Sequence, residues 1–166
     1  EALLSSLRSQ YPTVFSENIG TVKGVCHGLD TGTSLPIRQP SRKMGGRERE
    51  IVEVEVAAML KAGIIRSSKS PWASAVVLVS KPDGTTRFCV DYRRLNAVTA
   101  ADAYPLPRID QLLREVAGFK YYTALDLRSS FHQLVLGEDA VAKSAFSCHL
   151  GLFEYLRLPF GMRNAP

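Results

Sequence analysis

The stretch YYTALDLRSSFHQ, Tyr121 to Gln133, sets one carboxylate, Asp126, in a run of aromatic and aliphatic residues. Such a run reads as a buried strand from Tyr121 to Leu127, where a carboxylate is costly unless a cation sits on it. Asp126 therefore has two readings: an oxygen ligand for a hard divalent cation, or a cap for the short turn or helix expected at Arg128 to Phe131. Ser129, His132 and Asp126 are also the residue types of a hydrolytic triad. No strained nucleophile turn or oxyanion site accompanies them, and a rigid strand accounts for them better. Cys26-His27 and Cys148-His149 resemble paired metal ligands, but neighbours on a strand point to opposite faces and no spacing matches a zinc site.

The second chemical feature is cationic. The 166 residues carry 21 Lys and Arg against 16 Asp and Glu, a net charge of +5. Between Lys61 and Arg94 stand seven basic and two acidic residues, so the whole excess lies in that segment and the rest of the chain is balanced. A surface addressed to phosphate would show this concentration, and so would a solvated basic face. Lys81 and Arg87 flank a Pro-Asp-Gly turn, and Asp91, Arg93, Arg94 and Asn96 follow in DYRRLN.

The elements that position these groups form a mixed α and β order. An N-terminal helix is expected to end near Tyr11-Pro12, followed by an extended, loop-rich stretch from Ile19 to Pro40. From Arg47 to Ala62 the IVEVEV core alternates like a strand, but Val52, Val56, Met59 and Leu60 share a helical face and Gly63 is a plausible stop, which favours helix. Ala75 to Ser80 and Thr86 to Val90 are β-rich runs joined by Lys81 to Thr85, a hairpin. Pro107 opens a helix whose apolar residues Ile109, Leu112, Leu113 and Val116 recur at i, i+3, i+4 and i+7, with Gly118 as its stop. After the Tyr121 strand come an extended HQLVL, an acidic turn at Glu138-Asp139, and strands near Ala145 to Phe146 and Phe153 to Leu158. With 45% apolar residues the chain can bury a core. It has no apolar run long enough to span a bilayer and no signal-peptide pattern. Three cysteines without CxxC spacing point to free thiols in a reducing, intracellular compartment.

Several blocks converge on one family. DTGTSLPIRQ, the long run from AAMLKAGIIRSSKSPWASAVVLVSKPDG through TTRFCVDYRRLNAVTAADAYPLPRIDQLL, then YYTALDLRSSFHQ and KSAFSCHLGLFEYLRLPFGMRNAP, resemble the reverse transcriptase of gypsy-type LTR retrotransposons, the Metaviridae-like pol polyproteins. The resemblance runs from about Leu29 to Pro166. It implies an α+β fold, the fingers of a right-hand polymerase plus an incomplete palm. The implied divisions are 1–28 as N-terminal helix and linker, 29–96 as fingers, 97–120 as connector and helix, and 121–166 as the first part of the palm.

The resemblance also implies roles. Asp126 is the first metal-binding, catalytic aspartate, with the Leu127 carbonyl as a second ligand, for two Mg2+ ions in the complete enzyme, Mn2+ being an alternative. Lys81 and Arg87 reach the phosphates of an incoming deoxynucleoside triphosphate. Phe131, five residues past Asp126, gates the sugar, and Phe160 and Gly161 floor the pocket. Arg93, Arg94 and Asn96 contact nucleic acid, although Arg93 pairs first with Asp91. Ser130 stands where this family usually has glycine.

The implied partners are an RNA or DNA template with its primer, deoxynucleotides, and the rest of the polyprotein: thumb, ribonuclease H and integrase, with no membrane. The implied setting is a cytoplasmic retroelement particle or the nucleus. The family's aspartate doublet is absent from these residues, so the chain alone is expected to be inactive, as a piece of a longer polyprotein. The competing reading is a non-catalytic remnant that keeps only a basic nucleic-acid-binding or protein-interaction surface. An intact doublet further along the gene would separate the two.

Overall fold

The computed structural model describes residues 2–16 and 18–165; Glu1 and Pro166, the outer ends of the first-helix and LPFGMRNAP readings, lie outside them. The elements in chain order are α1 (Ala2–Gln10), β1 (Cys26–His27), α2 (Gly46–Lys61), β2 (Ile65–Ser67), β3 (Ser74–Ser80), β4 (Thr86–Asp91), α3 (Arg93–Val98) and α4 (Ile109–Val116). A 3-10 turn (Ser130–Gln133), β5 (Val135–Leu136), α5 (Glu138–Lys143), β6 (Phe146–Cys148) and β7 (Gly151–Tyr155) complete them.

The ambiguous IVEVEV segment is helical because helix is the geometry that hides its apolar side. Val52, Val56 and Met59, at i, i+4 and i+7, are the buried residues of α2, while Val54 is exposed. At its start the Glu48 carboxylate accepts the Gly45 N–H at 2.7 Å. At its end Gly63 takes φ +64°, and the Ile64 N–H returns to the Met59 carbonyl at 2.9 Å, closing the helix and aiming the chain into β2.

A five-stranded sheet of order β2-β7-β6-β3-β4 carries the core. The β3–β4 hairpin is antiparallel with Val79 opposite Arg87. Gly84, at φ +80°, makes its turn, and the Asp83 carboxylate accepts the Thr85 N–H. β6 joins β3 in parallel and β7 in antiparallel register, so strands from both halves of the chain share one sheet. Fully buried Phe146 is the hub, with Phe153 and Tyr155 stacked or tilted against it and Phe88 edge-on. Tyr92 lies beside them, its hydroxyl donating to the Ser144 carbonyl at 2.7 Å. The loop-rich stretch after Ile19 contributes two short pairings: β1 with β5 in parallel, and residues 37–39 alongside Ala73.

DYRRLN, for which no element was expected, leads into a helix, α3, with Leu95 buried on one face. Two expectations need correcting. Glu138-Asp139 opens α5 rather than a turn, because two acids in a first turn complement the helix dipole and Ala140 and Val141 face the core. Finally, Tyr121 to Leu127 forms no ladder. Tyr121, Leu125 and Leu127 are 92%, 87% and 65% exposed, and Asp126 faces solvent. The composition suits a strand, but a strand needs a neighbour, and among the described residues none runs beside it. The α4 helix forms as expected yet buries none of its residues.

Candidate active site

Asp126 and Leu127 lie just ahead of the 3-10 turn. The turn is entered through Ser129, which adopts φ 48° in the left-handed region, and its carbonyl accepts the His132 N–H at 2.9 Å. The unusual backbone conformation thus falls on Ser129 and not on Ser130, where the family pattern puts glycine. Gln133 closes the turn by donating its side-chain amide to the Arg128 carbonyl at 2.9 Å.

The turn aims two rings at Phe160. Phe131 meets it edge to face, centroids 4.9 Å apart, and His132 meets it at 5.5 Å while stacking on Tyr155 at 6.4 Å. Edge-to-face contact sets the positive rim of one ring on the negative face of the other. Burial among these rings lowers the His132 pKa, so the imidazole stays neutral and acts as a packing ring. Phe160 itself is 55% exposed, leaving an aromatic surface open beside Gly161, whose φ is +86°.

Asn96 ties this corner to α3. Its amide donates to the Gly161 carbonyl at 2.8 Å and its side-chain oxygen accepts the Arg163 N–H at 2.9 Å. Arg163 returns a guanidinium bond to the Asn96 carbonyl at 3.0 Å. Asn164, at φ 65°, accepts the Asp102 N–H and donates to the Ala100 carbonyl. Arg163 and Asn164 were missed as site-building residues; an asparagine, the residue that best tolerates left-handed backbone after glycine, was the available signal.

Arg93 is bound to Asp91 through Nε at 2.8 Å and Nη2 at 2.6 Å, the pairing its spacing favoured. Arg42 reaches the same carboxylate at 3.1 Å. Hydrogen bonds from Arg93 and the charges of both arginines depress the Asp91 pKa to about 2. Arg94 is exposed on α3. Lys81 and Arg87 stand at the hairpin tip, and no hydrogen bond or ion pair among the described residues joins them to Asp126, Phe131 or Phe160. The structure therefore brings together Phe131, Phe160, Gly161 and Asn96, with the hairpin cations as a separate group.

The Asp126 carboxylate and Leu127 carbonyl are hard oxygen donors of the kind Mg2+ takes. Among the described residues no cluster of three His, Cys, Asp or Glu could hold a metal ion. The donor set thus fits one corner of a metal site.

The model of the reverse transcriptase (RNA-dependent DNA polymerase) family matches residues 79–166, more than half of the chain. The chain belongs to the reverse transcriptase family. Among curated relatives, the retrovirus-related Pol polyprotein from transposon 297 of Drosophila melanogaster is 38% identical over 90% of this chain, and that from transposon opus of the same fly is 38% identical over all of it. The transposon Tf2-3 polyprotein of Schizosaccharomyces pombe is 42% identical over 80%. This reverse transcriptase chain spans 15%, 17% and 10% of those relatives' lengths. Among solved structures, the prototype foamy virus protease–reverse transcriptase superposes with TM-score 0.85 at 26% identity, over 99% of this chain and 23% of that one. The foamy viral enzyme in complex with an RNA/DNA hybrid gives TM-score 0.87 at 23% identity, with the same coverage, and shares the fold. These likenesses favour a reverse transcriptase fragment over the alternative of a non-catalytic retroelement remnant that keeps only a basic nucleic-acid-binding or protein-interaction surface.

Proposed function

We propose that this chain carries the nucleotide-facing and template-facing part of an RNA-directed DNA polymerase that extends a primer with deoxynucleoside triphosphates. Residues 29–96 act as fingers, 97–120 as connector and 121–166 as the first part of the palm, with the thumb, ribonuclease H and integrase elsewhere in the polyprotein. The observation that carries the reading is the edge-to-face pair Phe131–Phe160, which joins the turn that follows Asp126 to the segment that holds Gly161.

Each residue of the chain then has a physical task. Phe131, held upright by Phe160, presents an apolar face that excludes a ribose 2′-hydroxyl and admits deoxyribose. Gly161 lets the nucleotide approach the backbone closely. Lys81 and Arg87 close on the β- and γ-phosphates when the hairpin folds over the bound nucleotide, arginine supplying a planar fork for phosphate oxygens. Arg93, Arg94 and Asn96 line the template side. Asp126 and the Leu127 carbonyl would hold a divalent cation, Mg2+ or Mn2+, which when bound supplies charge neutralisation on the triphosphate.

Primer extension by a retroelement polyprotein that contains this chain tests the reading. Asp126→Asn should abolish extension while leaving primer–template affinity nearly unchanged. Extension at the wild-type rate by Asp126→Asn would overturn it.

A further inference from the structure

The tip of the β3–β4 hairpin joins two groups that react with each other when nothing keeps them apart. Asp83 is followed by Gly84, whereas every other aspartate and every asparagine of the chain is followed by a residue with a side chain. With no Cβ on the glycine to hinder it, the Gly84 backbone nitrogen can close on the Asp83 carboxyl group. The nitrogen gives up its proton and bonds to Cγ, one carboxyl oxygen leaves as water, and a five-membered succinimide results. Water then adds back and breaks the bond between that nitrogen and the former backbone carbonyl carbon, so the chain runs on through Cγ as isoaspartate. Composition is unchanged, no oxidant or reductant takes part, and the backbone becomes one atom longer.

The folded tip commits both reacting groups elsewhere. The Gly84 N–H donates to the Lys81 carbonyl at 3.0 Å, so the nucleophile must break the turn before it can attack. The Asp83 Oδ1 accepts the Thr85 N–H at 2.9 Å and the Thr85 hydroxyl at 2.5 Å, which tethers the carboxylate to the residue beyond Gly84. These two bonds, with the Lys81 ammonium, hold the Asp83 carboxyl below the usual carboxylate range. Ring closure needs the neutral acid, because an ionised carboxylate has no oxygen that can leave as water. Residues 81–85 are all exposed, so no packing shields the pair and its protection is local.

We propose that Asp83-Gly84 is a site of spontaneous isoaspartate formation that Thr85 holds closed in the folded hairpin. The site follows from the tip alone and does not depend on the polymerase reading. Thr85 acts through Asp83 as a positioning residue, by keeping the carboxylate ionised and unable to swing onto the Gly84 nitrogen. Once converted, the residue presents a free α-carboxylate, the group that an S-adenosylmethionine-dependent isoaspartyl methyltransferase esterifies. The extra backbone atom falls between Lys81 and Arg87, where it disturbs the register that sets Val79 opposite Arg87.

The test is peptide mapping by mass spectrometry of the 166-residue chain held at neutral pH for weeks, isoaspartate being read as an isobaric second peak that takes a methyl group from the methyltransferase. Wild type unfolded in guanidinium chloride should accumulate isoaspartate at position 83 ahead of every other aspartate, and folded wild type several-fold more slowly. Thr85→Val and Thr85→Ala, both at an exposed position, should convert several-fold faster than wild type while folded, with unchanged melting temperatures. Thr85→Ser keeps the hydroxyl and should match wild type. No excess of isoaspartate at position 83 in the unfolded chain would remove the site. Equal rates in folded and unfolded wild type, or folded Thr85→Val and Thr85→Ala no faster than wild type, would overturn the guarding role of Thr85.

Discussion

Asn96 and Arg163 hold each other at two points. The Asn96 side-chain oxygen takes the Arg163 N–H and the Asn96 carbonyl takes the Arg163 guanidinium, while the Asn96 amide extends to the Gly161 carbonyl two residues earlier. An α3 side chain thus fixes the backbone that floors the aromatic corner. Asn96→Ala should remove the protein partners of the Arg163 N–H and the Gly161 carbonyl, both open to water, and lower stability by about 0.5–1.5 kcal/mol. Chemical denaturation measures the loss, and an unchanged midpoint would remove Asn96 from this bracing role.

Tyr92 offers a cleaner test of the core. It is 2% exposed, and burial pushes its phenol pKa well up, so the hydroxyl stays neutral and donates to the Ser144 carbonyl. Tyr92→Phe should cost about 1–2 kcal/mol through that one bond, with the ring's packing retained. Urea unfolding of the two proteins at equal m-value provides the comparison.

The aromatic corner makes a prediction about selectivity. If Phe131 stands upright because Phe160 meets its edge, Phe160→Leu should relax discrimination against ribonucleotides in the primer-extension assay, less than Phe131→Ala does but in the same direction. Ratios of ribonucleotide to deoxyribonucleotide incorporation give the readout. Selectivity lost only in Phe131→Ala would mean that Phe160 is a bystander.

Acidification should destabilise the fold in two stages. Burial lowers the pKa of both His27 and His132 below the ordinary 6.5, so the unfolded chain binds protons that the folded chain refuses. Stability from this source is complete above pH 6.5 and declines as pH falls through it. The Asp91 contribution follows the carboxylate rule: it is present above about pH 4 and lost as pH falls toward about 2. Melting temperatures at pH 7.5 and 5.5 should differ, and His132→Phe, whose ring can pack on Tyr155 and Phe160, should shrink the difference.

Solubility gives a fifth expectation. Tyr104, Leu106, Ile109, Leu113, Phe119, Tyr121, Tyr122 and Leu125 are all more than 60% exposed within one short region. Four of these are aromatic rings, each with roughly 150–250 Å² of surface, and together they exceed what a soluble monomer usually leaves open. The 166-residue chain should therefore bind an apolar dye at neutral pH, and Leu112→Lys with Leu113→Glu on α4 should reduce the signal without lowering the melting temperature, because α4 buries nothing.

The sequence was readable where local chemistry and tertiary demand agreed. Val52, Val56 and Met59 marked α2 against its alternating surface, and Pro82-Asp83-Gly84 marked the hairpin. It was silent where the decisive contact was distant. Nothing near Arg42, in a stretch of Pro, Ser and Gly, announced a carboxylate 49 residues away. It misled at Tyr121 to Leu127, where strand composition is intact and the pairing partner is not among the described residues. Of the site, the Asp91–Arg93 pair could be anticipated from spacing, and Phe131, Phe160 and Gly161 were named only through the family resemblance; the Asn96–Arg163 brace could not be anticipated, because its two halves are 67 residues apart.

The order β2-β7-β6-β3-β4 also constrains how the chain comes off the ribosome. The two middle strands, β7 and β6, are the last to be synthesised, while both flanks, β2 on one side and the β3–β4 hairpin on the other, emerge first. Until Tyr155 clears the exit tunnel the hairpin can form, but its inner edge has no neighbour and Phe146 has not arrived to fill the core. Sheet closure is therefore a late, long-range event. A nascent chain paused before β6 would expose Val76 and Tyr92 together, so translation speed through residues 92–146 becomes a determinant of yield.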